Sequence, residues 1–239
     1  MIIVALIVFL GALVQSSIGF GFALVTMPVL VGILGIHLAA PLVALAAMLL
    51  EITILLRYRE AFNFGVVKHL TIAAIIGVPI GVLAARSIEG DIVNKFLGII
   101  VIAYALYALL APTLPELAGT AWAYFFGLIA GILGGAYNTA GPPVVIYGNA
   151  RRWPPAEFKS NLQGFFLING IIVIIVHAAG GNITSDVFRN LLYTLPGLAL
   201  GLAAGFYLST RINPALFRNI VLVALLFLGA SLLILQEYA

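Results

Sequence analysis

Residues 11–28 read GALVQSSIGFGFALVTMP and lie inside an apolar tract running from residue 1 to about residue 32. A straight helix of that length would be about 48 Å long, well beyond the roughly 30 Å hydrocarbon core of a bilayer. Gln15, Ser16 and Ser17, followed by Gly19 and Gly21, interrupt the tract halfway. Freed backbone groups in lipid survive only where protein or a polar cavity covers them. The stretch therefore predicts a membrane protein with a polar task at mid-depth. The plainer reading is a helix-packing face of small residues, which membrane helices use freely.

Composition leaves little room for a soluble fold. The chain is 64% apolar and 8% charged, against about 25% charged in ordinary globular domains. An all-α polytopic membrane protein follows. Twenty-five glycines and eleven prolines point to a transporter or channel rather than a simple bundle. Cysteine is absent, which excludes disulfides and thiolate chemistry. The net charge of +3 sits in short links, so it bears on topology and not on nucleic acid. The chain reads without a cleaved signal peptide and without a polar gap long enough for a cytosolic catalytic domain. It carries no GxxxxGK[ST], HExxH or GxSxG motif, so no enzyme activity and no cofactor are expected. The three histidines are scattered and form no metal motif.

Apolar segments are expected at 1–32, 38–56, 68–86, 92–111, 118–150, 160–180, 188–208 and 214–236. A charged link with Glu89 and Asp91 joins the third to the fourth, and a turn with Pro112, Pro115 and Glu116 follows the fourth. The fifth segment is again too long, and its centre reads GILGGAYNTAGPP. One broken segment followed by three ordinary spans thus occurs twice, in repeats 1–111 and 118–236 that together make one transmembrane domain. Duplication with broken helices at the binding site is a common transporter plan.

Charge placement bears on how the broken segments thread. If each crosses once, Arg57, Arg59, Lys68 and Arg189 share one side against the other seven basic residues. If each dips in and returns, Arg57, Arg59, Lys68, Arg151, Arg152, Lys159, Arg211 and Arg218 share a side against Arg86, Lys95 and Arg189. The second split fits the positive-inside rule better. It makes the repeats inverted, puts both termini outside, and lets two hairpin tips meet near the midplane.

GALVQSSIGFGFALVTMPVL and GLIAGILGGAYNTAGPPVVIYG resemble the paired signature of the sulfite exporter TauE/SafE family, and the four-segment layout resembles it over nearly the whole chain. Gln15-Ser16-Ser17 and Phe20 depart from the family's glycine-rich first signature. The resemblance implies a secondary transporter in the inner or plasma membrane. It also implies that the substrate is a small sulfur-containing anion, such as sulfite or a sulfonate.

Such an anion needs donors in place of water. Helix N-termini and glycine-exposed amides supply them without full charges. The candidate substrate-binding set is Gln15, Ser16, Ser17, Gly19 and Gly21 on the first break. On the second it is Gly134, Gly135, Tyr137, Asn138, Thr139 and Gly141, with Pro142 and Pro143 starting the returning helix. For each serine or glycine, close packing is the competing reading. For Gln15 and Asn138 the site is favoured, since an amide in hydrocarbon is costly without a partner or task.

Glu51, six residues before Arg57, is a candidate carrier of a coupling proton; the alternative is a pair with Arg57 or Lys68. Asn169 is placed on the path. Asn161 and Gln163 are read as near the membrane surface, in a vestibule or capping role. His177 reads as interfacial, Trp122 and Trp153 as interface anchors, and Arg151 and Arg152 as a topology anchor or a lure for anions. Expected partners are a small anionic solute, protons and the lipid bilayer, with no nucleic acid; a homo-oligomer is left open. A passive anion channel and a non-transporting scaffold are the competing functions.

Overall fold

A computed structural model of the chain describes residues 2–87, 90–110 and 114–234, so Glu89 and Pro112 of the two links lie outside the described residues. Among the described residues are ten α-helices and no strand. They are α1 Ile2–Ile18, α2 Phe22–Leu34, α3 Ile36–Tyr58, α4 Phe64–Ser87, α5 Gly90–Leu110, α6 Ala121–Tyr137, α7 Gly141–Ala150, α8 Pro155–Ala179, α9 Ser185–Ser209 and α10 Pro214–Ile234. The two overlong tracts are each split, into α1 and α2 and into α6 and α7. Gly19 (φ 94°) and Gly21 (φ 110°) make the first break, and Asn138 (φ 56°) ends α6 at the second. Positive φ is cheap for glycine and tolerated by asparagine, so the residue types decide where the chain turns.

Both broken segments return instead of continuing. A Cβ on Gly11 of α1 would collide with Phe22 and Thr26 of α2, a contact that a straight passage forbids. At the second, the Phe126 and Tyr147 rings lie 5.8 Å apart. The Leu117 N–H, ahead of α6, donates to the Ala150 carbonyl at the end of α7 (3.2 Å). Entry and exit are side by side, so α6 and α7 form a hairpin.

Two seams hold the bundle. In the first, α4 lies against α6, with Gly77, Gly81, Gly127, Gly131 and Gly135 each touching the facing backbone. In the second, α9 lies against α1 through Gly197, Gly201 and Gly205. Small residues at every fourth position let helix backbones approach, the packing that works where lipid removes the hydrophobic drive between helices. α3 packs on α8, and α5 packs on α10. Exchanging the first five helices with the last five maps each of these four pairings onto itself or onto another of them. Among the described residues, five helices are long and apolar enough to span a bilayer. The outer faces carry exposed residues such as Ile76, Leu83, Ile175, Leu192 and Phe227, as a lipid-facing surface requires. The prolines inside α2, α3, α4 and α9 are of the kind that membrane helices tolerate.

Candidate substrate site between the two hairpins

The two tips meet over one small cavity. Gln15, Gly21, Phe22, Ala23 and Leu24 line it from the first hairpin, and Asn138, Thr139, Ala140 and Gly141 from the second. Glu51 of α3 and Asn169 of α8 close the sides. Its volume is about 40 Å³, room for about three water molecules and therefore for one compact oxyanion.

The first tip is closed by a relay of two glutamines. The Phe22 N–H donates to Gln15 Oε1 (3.1 Å), Gln15 Nε2 donates to Gln163 Oε1 (3.2 Å), and Gln163 Nε2 donates to the Gly19 carbonyl (2.5 Å). A backbone N–H can only donate and a carbonyl can only accept, so the two ends fix both amide orientations. Lys159 Nζ adds a longer contact to the Ser17 carbonyl (3.5 Å). In the second tip, Asn138 donates Nδ2 to the Ala40 carbonyl (2.8 Å). The Thr139 hydroxyl reaches back to the Leu133 carbonyl (3.4 Å).

Of the anticipated residues, Gln15, Gly21, Asn138, Thr139, Gly141, Glu51 and Asn169 are brought together around the cavity. Others face elsewhere. Ser16 and Ser17 donate to the Ala12 and Leu13 carbonyls of their own helix and abut Gly201 and Gly205 of α9. Gly19 holds the turn behind the cavity wall. Gly135 packs on Val78 of α4. Tyr137 turns its ring toward Phe96 of α5, 6.4 Å away. Gly134 stands just behind the cavity, and a Cβ there would collide with Asn169 Nδ2.

Gln163 was expected near the membrane surface in a vestibule or capping role, and it does tie off a backbone carbonyl, that of Gly19. It is fully buried, because α8 begins at Pro155 and not near residue 160. Pro154-Pro155 with Glu157 in the first turn is a helix-start signal that would have put Gln163 two turns deep. Asn161 is also fully buried, and its Oδ1 caps the approach to α4 by accepting from the Asn63 N–H (2.9 Å).

Glu51 makes no ion pair with Arg57 or Lys68. The described ion pairs are Arg152–Glu116 and Arg189–Asp186, and Arg57 lies over the Phe206 ring at 4.6 Å. Glu51 Oε2 and Asn169 Oδ1 are both buried without a hydrogen-bond partner in the protein. They are polar atoms held ready on the cavity wall, since buried groups of this kind are ordinarily paired.

Membrane-length helices around two returning hairpins, with a polar cavity between the tips, define a multi-pass membrane protein of the transporter class. The family model described as "Sulfite exporter TauE/SafE" matches residues 4–232, and the chain belongs to that family. It is similar to the "Probable sulfite/organosulfonate exporter TauE" of Cupriavidus necator, at 23% identity over 236 residues, which is 94% of this chain and 90% of that protein. No solved structure matches. The chain is thus a membrane transporter of the inner or plasma membrane and not an enzyme.

Proposed function

We propose that the protein is a secondary transporter of small sulfur-containing anions, sulfite or an organosulfonate, and that the anion binds between the two hairpin tips. The single observation that carries this reading is the cavity itself. It is as small as a compact oxyanion, it faces the first turn of α2, and it has polar groups on every side. The family and the exporter from Cupriavidus necator support the substrate class. The exchange symmetry of the helix pairings supports two inverted repeats, 1–111 and 118–236, that rock around this site.

Glu51 carries the coupling proton in this reading. A carboxylate and an anion cannot share so small a space cheaply. Like charges 4 Å apart repel by about 4 kcal/mol at an effective dielectric of about 20. Anion binding therefore favours the protonated acid, which then donates a hydrogen bond where the carboxylate would repel.

Counterflow in proteoliposomes tests the reading, with sulfite, thiosulfate, sulfoacetate and simple carboxylates as solutes. Saturable, pH-dependent exchange of the sulfur anions is the expected result. Large unitary currents would make the protein a channel. Transport left intact by Asn169→Leu and Gln15→Leu in folded protein would move the site elsewhere.

A further inference from the structure

A second cavity, of about 820 Å³, lies on the far side of the first hairpin tip. Ser17, Ile18 and Phe20 form its inner wall, and the central cavity begins just behind them at Gln15 and Gly21. The other walls include the ends of α5, α7 and α9 and the starts of α8 and α10. Five of the eleven basic residues, Arg151, Arg152, Lys159, Arg211 and Arg218, lie at these helix ends, and the return of both broken segments puts Arg57, Arg59 and Lys68 on the same side. By the positive-inside rule this is the cytoplasmic face.

Its lining is cationic. Arg152, Lys159 and Arg218 all face it, and no carboxylate does among the described residues. Two of the three cations have other engagements. Arg152 is exposed and lies 3.7 Å from Glu116. Lys159 reaches the Ser17 carbonyl and lies 5.5 Å from the centre of the Tyr58 ring. Arg218 differs: it is half-buried, forms neither of the described ion pairs, and its Nε is buried without a hydrogen-bond partner. A buried guanidinium N–H with no acceptor is costly, and the fork geometry of arginine suits a sulfonate or carboxylate group. Tyr104 and Tyr107 lie on the same wall, giving apolar ring surface and phenol groups beside the charge.

We propose that this vestibule is a separate docking site, in which Arg218 holds the sulfonate or carboxylate group of an organic anion before it passes the Ile18–Gly21 tip. The inference rests on the transporter reading for its substrate class. Its chemistry is opposite to that of the central cavity: a full positive charge in a large chamber captures from the cytoplasm, and neutral donors in a small one release. The barrier between them is the glutamine-pinned turn, with Phe20 set edge-on against Tyr104 at 5.8 Å.

Equilibrium binding of radiolabelled sulfoacetate to the purified full chain in nanodiscs tests this, alongside transport in proteoliposomes. R218Q is expected to weaken binding by about tenfold or more. R218K keeps the charge but loses the fork, and should weaken it by about threefold. N169L should depress transport while leaving the Arg218-dependent component of binding within about twofold, because Asn169 lies in the other cavity. Should R218Q fail to fold, R218K decides. The proposal is overturned if the folded arginine variants bind as the wild type does, if N169L removes the Arg218-dependent component of binding, or if wild-type protein binds no sulfoacetate. Sulfur-anion transport that survives R218Q with unchanged binding would sink the vestibule site alone. Arg218-dependent binding without transport of any sulfur anion would sink the transporter reading and leave the vestibule standing.

Discussion

Replacing Gln163 with leucine should loosen the first hairpin tip. The side chain is fully buried, and Gln15 is 4% exposed, so bulk water does not replace what is lost. Q163L leaves the Gly19 carbonyl and Gln15 Nε2 without their partners. A buried polar group stripped of its partner costs about 1–3 kcal/mol. In membrane proteins the measured loss per hydrogen bond averages about 0.6 and reaches about 1.7 kcal/mol, because freed groups find other partners. Two groups at an intermediate value give about 2 kcal/mol, or about thirtyfold more frequent opening of the turn. Leucine nearly fills the volume of glutamine, so a new cavity adds little. Hydrogen exchange read by mass spectrometry over residues 18–24 measures the opening, and a cycle with Q15L isolates the coupling, expected near 1 kcal/mol. Exchange within about twofold of wild type, with an unchanged melting temperature, would refute the claim that the relay holds the turn.

The remaining predictions are narrower. S16A and S17A should leave substrate KM within about twofold while lowering stability by about 0.5–1 kcal/mol, because their hydroxyls serve α1 and α9; a large KM change would return them to the site. G21A should cost about 1–3 kcal/mol, since φ is 110° and a Cβ would sit 3.0 Å from Val14 Cγ1; thermal unfolding in detergent reads it. E51Q should flatten the pH profile of transport and uncouple flux from a pH gradient while anion counterflow persists; a wild-type pH profile would remove Glu51 from the coupling step.

Segment lengths were legible because the bilayer sets a ruler: tracts of about thirty apolar residues cannot be one span. The eight expected segments match the ten helices once each broken tract is counted as two. The preference for a return came from Arg151, Arg152, Lys159, Arg211 and Arg218 joining Arg57, Arg59 and Lys68 on one side, and the Leu117–Ala150 contact shows the second broken segment returning. Side-chain direction at the breaks was not legible. In helices apolar on every face, periodicity cannot tell Ser16, which meets α9, from Gln15, which meets α8. The partner of Gln15 lies 148 residues away, and no local pattern carries that distance. Tyr137 shows the same limit: it stands beside a polar break, but its ring lies 6.4 Å from that of Phe96 on α5 and it does not line the cavity.

The two tips are not chemically equivalent, and the difference assigns them separate work. α2 opens with Gly21, Phe22, Ala23 and Leu24, all with amide hydrogens, and helix geometry leaves those of the first turn without intrahelical partners. Phe22 spends its own on Gln15, so Ala23 and Leu24 face the cavity as the available donors. α7 opens with Gly141, Pro142 and Pro143, and the two prolines remove two of the donors that an anion would use. The second tip still directs the positive end of its dipole inward, but its conformation is fixed by proline and by the Asn138–Ala40 bond. At the proposed site an anion would therefore be held by hydrogen bonds from the first hairpin against a rigid second one. The first hairpin also carries the positive-φ glycines, the glutamine relay and the wall of the cationic vestibule. In the proposed site, the element that grips the solute is then the element whose movement would admit it.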